Sequence, residues 1–117
     1  MAYMLLVIEK AGDRQLRIEE EGRALYERML RFSEDLQGRG LLKMSQSLKT
    51  DAEAVRVSKG AGKPVVRDGP FSESREMIGG FFLLSCETKA EAVAIAAACP
   101  AAEWATLEVR ELGPCFQ

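Results

Sequence analysis

Two unbroken apolar runs constrain this chain more than any other feature. Tyr3 to Ile8 and Phe81 to Leu84 contain no charged residue. A strand with one face in water alternates apolar and polar residues. A strand that is apolar throughout is covered on both faces and sits inside its sheet. Both runs are far shorter than the roughly 20 residues that span a bilayer. They therefore predict two central strands, the second within Gly79 to Cys86.

The other elements follow from period and punctuation. Leu16 to Gln37 carries Ile18, Leu25, Met29, Phe32 and Leu36 on one stripe of a long helix. Its charged residues form the solvated remainder, and Gly38 and Gly40 end it. Leu41 to Leu48 reads as a strand. Ala54 to Ser58 and Lys63 to Arg67 read as a hairpin around Gly60-Ala61-Gly62. That glycine-rich tip lacks both the spacing and the following helix of a phosphate loop. Thr88 and Glu91 form a capping box for a small-residue helix, Lys89 to Cys99, stopped at Pro100. Trp104 to Leu112 alternates as a last strand.

With the hairpin set aside, the order is β-α-β-β-α-β, the ferredoxin-like pattern, in one α+β domain spanning residues 1–117. Two helices cover only one side of such a sheet. The central strands are apolar on both sides, so the uncovered face predicts a homodimer packed through the sheets.

Composition removes several function classes. The net charge of −2 leaves no basic footprint for nucleic acid, so no nucleic-acid partner is expected. The N-terminal residues lack a basic leader and no segment reads as a membrane span, so a cytoplasmic location is expected. There is no histidine and no close cysteine pair. Metal binding is thus not expected, no cofactor is implied, and a histidine base is excluded. Cys86, Cys99 and Cys115 are expected as reduced thiols, two of them in the core.

One block does not reduce to periodicity: Arg67-Asp68-Gly69-Pro70-Phe71, followed by Gly79-Gly80-Phe81. With Tyr3-Met4-Leu5-Leu6, Glu73, Glu76, Cys99-Pro100 and Glu108-Val109-Arg110, it resembles the YCII-related family, in its DGPF-domain branch. The resemblance implies a dimeric α+β barrel of ferredoxin-like protomers and bacterial relatives largely of unknown function. Some members pair a histidine with an aspartate in a cleft. Here Trp104 stands where the branch often carries a histidine, so that acid–base role does not transfer. Some relatives are linked with sigma factors, which implies a regulatory alternative.

Asp68 has two readings: a carboxylate accepting backbone N–H bonds of its own turn, or a general base in a cleft, the candidate catalytic group. Gly69 permits unusual backbone angles, and Pro70 fits the start of a short helical turn. Phe71 reads as a plug over the sheet edge or as a ligand contact. Gly79-Gly80 marks either a β-bulge or a close approach to the sheet. If Leu107 and Val109 face the helices, Glu108 and Arg110 face the dimer side. There they form a salt bridge or line an intersubunit pocket with Asp68, where Arg67 or Arg110 would hold an anionic group. Three functions remain open: a small-molecule enzyme or binding protein with an intersubunit cleft, a non-catalytic interaction module linked to transcription, or a motif that only builds the dimer.

Overall fold

The inner strands of the four-stranded sheet are the two apolar runs. The computed structural model describes residues 2–117. β1 (Tyr3–Lys10) is followed by α1 (Glu19–Gly38), β2 (Leu42–Ser47), β3 (Val55–Gly60), β4 (Lys63–Asp68), β5 (Glu76–Leu84), α2 (Lys89–Ala98) and β6 (Thr106–Glu111). The main sheet has the order β2-β5-β1-β6, with antiparallel neighbours throughout. This is the ferredoxin-like α+β fold, with β3 and β4 inserted as a separate hairpin. Among the described residues, no helix is long and apolar enough to cross a membrane.

The sheet has two unlike faces. Tyr3, Leu5 and Val7 alternate inward along β1. Leu5 is paired with Phe82 on one side and Val109 on the other, which places these three on the helix-covered face. There they join Leu36, Leu84, Ile95 and Cys99 in the core. Leu36, Leu5 and Leu84 are completely buried. The opposite face carries Met4, Leu6, Phe81 and Leu83, with Glu108 opposite Leu6 and Arg110 opposite Met4. Among the described residues no helix or strand forms a second layer there, and the molecule measures only 18 Å through its thinnest direction.

The helix ends are set locally. The Thr88 hydroxyl accepts the Glu91 backbone N–H at 3.1 Å, capping α2. α1 has no side-chain cap, and its first turn is acidic, with Glu19, Glu20 and Glu21 favouring the positive end of the helix dipole. Its chain leaves through Gly40 at φ +71°, a left-handed exit. Gly38 itself is the last residue of the helix. The hairpin turns on Ala61 and Gly62, both at positive φ, as a two-residue turn matched to strand twist requires. All twelve residues of β3 and β4 are exposed. The radius of gyration is 16.0 Å, against about 13 Å for a close-packed chain of this length. The projecting hairpin accounts for the excess.

Cys86 and Cys99 are buried and Cys115 is exposed, all three as free thiols. Burial pushes the Cys86 and Cys99 thiols above their ordinary range, which keeps them protonated and unreactive.

Candidate functional site

The long helix does not lie flat on the sheet. Its apolar stripe runs from Leu36, fully buried, through Phe32, Met29 and Leu25, half-buried, to Ile18, 62% exposed. The C-terminal end of α1 is therefore docked and its N-terminal half lifts away. The space beneath is a groove of about 600 Å³ between α1, the helix face of the sheet, and the turn that carries Ala101 and Trp104. Its walls are largely apolar, including Val7, Leu25, Met29 and Phe82, with polar groups placed among them. A pocket of that size and character is what small organic ligands occupy.

At one end of the groove lies a buried ion pair. Glu9 continues the inward alternation of Tyr3, Leu5 and Val7, so a carboxylate arrives where the pattern calls for an apolar residue. It is 7% exposed. Such a group needs a partner, and Arg14, just past the Gly12 turn, supplies it. Arg14 Nε donates to Glu9 Oε1 at 2.9 Å and Nη2 to Oε2 at 2.6 Å. The same guanidinium donates to the backbone oxygens of Leu48 at 2.7 Å and Gly79 at 3.2 Å. One side chain thereby ties the β1–α1 connection to β1, to β5 and to the residue that follows β2, using the planar fork that makes arginine suited to this.

The glycine pair on β5 makes room for this arrangement. Between Val7 and Ile8 the register with β5 slips from Gly80 to Ile78, leaving Gly79 as the extra residue of a β-bulge. A Cβ at Gly79 would overlap Glu9 Oε2, and one at Gly80 would come within 2.8 Å of the Gln46 carbonyl oxygen. Both sequence readings of this pair therefore hold, bulge and close approach. The approaching group is the protein's own carboxylate.

The Asp68–Phe71 loop is organised differently. Asp68 ends β4 opposite Val55, and its carboxylate is exposed. The backbone N–H of Phe71 is instead received by Asp51 Oδ2 at 3.3 Å, and Gly69 N–H donates to the Ala54 oxygen at 2.7 Å. Gly69 keeps a φ that any residue adopts. A side chain there would overlap the Asp51 carbonyl, so glycine answers a close approach rather than an unusual angle. The Gly69–Pro70 peptide is cis, and a single hydrogen-bonded turn follows, Ser74 N–H donating to the Phe71 oxygen at 2.9 Å, without extending to a helix. Phe71 is 4% exposed, with the Arg56 guanidinium 3.8 Å and that of Arg67 5.3 Å from its ring centre. Arg67 and Arg56 both reach Glu73. The hydrogen bond from Arg67 holds the Glu73 carboxyl below the ordinary carboxylate range, helped by a backbone hydrogen bond.

The predicted site residues thus fall into two groups. Arg67, Asp68 and Phe71 lie together beside the hairpin. Glu108 and Arg110 lie on β6, at the opposite edge of the sheet from β2, on the uncovered face and 3.4 Å from each other. One protomer does not bring the groups together, and none of the five lines the groove. The sequence reading misses the groove; the signal available for it is Glu9, an acid on the otherwise apolar inward phase of β1.

Fold and groove together define a small ferredoxin-like α+β protein with a ligand-sized space between its long helix and its sheet. The family model for the YCII-related domain matches residues 1–115, and the chain belongs to the YCII-related family. No curated protein matches it significantly in sequence. Among solved structures it is similar to 5-chloro-2-hydroxyhydroquinone dehydrochlorinase from Burkholderia phenoliruptrix AC1100, in complex with 2,5-dihydroxybenzoquinone. The two share 16% identity over 97% of this chain and 94% of that one, with a TM-score of 0.55. That similarity is one of fold.

Proposed function

We propose that this protein binds a small organic molecule in the groove beneath α1, as a binding protein or as an enzyme acting on that molecule. The observation that carries this reading is the groove itself: about 600 Å³, apolar-walled, and bordered by the ion pair of buried Glu9 with Arg14. The dehydrochlorinase of similar fold, bound to a hydroxylated quinone, adds that such a protomer is compatible with small-molecule chemistry. The reading is tested by titrating the isotope-labelled protein with 2,5-dihydroxybenzoquinone and a panel of aromatic and aliphatic acids. Amide shifts at Gly79, Gly80 and Ser45 and at the Trp104 indole are expected. Shifts confined to the hairpin, or none for any compound, would sink it.

The working unit in this reading is a homodimer joined through the uncovered sheet face. Met4, Leu6, Phe81 and Leu83 supply the apolar centre, with Glu108 and Arg110 at its β6 side. A second protomer is also the only route by which Asp68 and Arg67 would meet Glu108 and Arg110 as a catalytic or anion-holding set. Light scattering at micromolar concentration should report twice the chain mass; a monomer would remove both ideas.

A second reading, an interaction module, is favoured by the hairpin. Val55, Val57 and Val66 share one of its faces and are each more than half exposed. A Val57→Lys change that alters partner capture but not groove binding would support it.

A further inference from the structure

The charges that line the groove do not cancel. Five charged side chains border it: Glu9, Arg14, Arg17, Glu19 and Arg23. Glu9 and Arg14 pair at 2.6 Å, and Glu19 and Arg23 at 2.8 Å. Arg17 is left. It is half-buried, and among the described residues its side chain has no hydrogen-bond or ion-pair partner. An acidic chain of net charge −2 therefore places one uncompensated guanidinium on the rim of its apolar groove.

The length of the space is also informative. Its lining runs along α1 from Glu19 to Ser33. At the rise of a helix, that is about 21 Å. A volume of 600 Å³ drawn out over such a length is narrow, suited to an extended body more than to a compact one.

Resting on the reading of the groove as a small-molecule site, we infer that its ligand is an amphipathic monoanion: an elongated apolar body with a carboxylate head held by Arg17. The apolar walls take up the body, releasing water from hydrocarbon surface. The head supplies what the half-buried guanidinium lacks, a planar two-oxygen acceptor. Arg14 is not available for this role, because four of its donor contacts are already made within the protein. Arg17 is thus the residue that selects the head group.

Trp104 is the sole tryptophan of the chain and lines the groove, so its fluorescence reports occupancy there directly. The experiment is a fluorescence titration with decanoate and, separately, with 1-decanol, on the wild type and on Arg17→Gln and Arg17→Lys. A hydrogen bond to a charged partner predicts about tenfold tighter binding of decanoate than of decanol in the wild type. Arg17→Gln should abolish that preference by weakening decanoate alone, and Arg17→Lys should keep part of it. The preference should also shrink as salt is raised. Equal affinity for the two probes, or a preference that survives Arg17→Gln in a protein of unchanged circular dichroism, would overturn the inference while leaving the groove as a binding site. No response of Trp104 to either probe, together with no groove shifts in the labelled protein, would overturn both.

Discussion

Around Phe71, in the loop after β4, charged side chains bond to one another; in the groove beneath α1, Arg17 has no partner among the described residues. Asp51 receives the Phe71 backbone N–H, Arg56 and Arg67 stack on the Phe71 ring, and both arginines reach Glu73. The Asp68 carboxylate stands apart, exposed to water, and the exposed Arg75 side chain has no partner among the described residues. The groove also holds a closed set, Glu9 with Arg14, yet among the described residues Arg17 has no partner beside its apolar walls. The difference teaches that a conspicuous sequence block and a site need not coincide. The loop is recognisable because Arg67 to Phe71 are contiguous in the chain, although Asp51, Ala54 and Arg56 help to hold them. The groove is assembled from β1, α1, β2 and β5, with no contiguous signature of its own.

The comparison is broken most directly at Phe71. Phe71→Ala should cost about 3 kcal/mol, since a buried aromatic is removed from a site that cannot collapse around it. Hydrogen exchange should speed up in β3 and β4, while Trp104 fluorescence titrations stay unchanged. Loss of groove binding in this variant would join the two regions into one site.

Next is Arg14→Ala, which leaves the Glu9 carboxylate buried without its partner and cuts the link to Leu48 and Gly79. A loss of about 3 kcal/mol in urea denaturation is expected, at the low end for a buried pair because Arg14 is itself 30% exposed. Groove binding should weaken with it. Full stability would mean that Glu9 finds water, and that the groove end is open.

Gly69→Ala forces a methyl group against the Asp51 carbonyl, a backbone atom that cannot swing aside. About 2 kcal/mol is expected, as for other overpacked sites, with the effect confined to the loop. A neutral result would show that the segment Asp51–Ala54 moves freely.

The smallest effect concerns pH. The Glu73 carboxyl is held low by its hydrogen bond from Arg67, so the folded state binds its proton less readily than the unfolded state. The stabilisation is present above the ordinary carboxylate value of about 4.5 and is lost as pH falls through the lower folded value. Glu73→Gln should flatten the acid limb of stability slightly, and high salt should do the same to the wild type.

Much of the fold was legible because the forces that set it are local or periodic. Tyr3 to Ile8 and Phe81 to Leu84 announced the inner strands by having no polar phase, and they are inner. Gly60-Ala61-Gly62 announced the hairpin, and Thr88 the start of α2. The phase of Leu107 and Val109 correctly placed Glu108 and Arg110 on the uncovered face. The groove was not legible, because it depends on how steeply α1 leaves the sheet. The stripe from Ile18 to Leu36 looks uniform in sequence but is graded in burial. Glu9 was the readable clue, as a charge on an inward phase.

The crowding between Glu9 and Gly79 carries a consequence for descent. The carboxylate stands in the volume that any side chain at position 79 would need. The two positions are therefore not free to drift singly. A side chain at 79 requires the Glu9 carboxylate to shift or to be lost, and with it the anchor for Arg14. Gly79→Ala should thus destabilise more in the wild type than in a Glu9→Ala background, a coupling that marks the pair as one unit of inheritance.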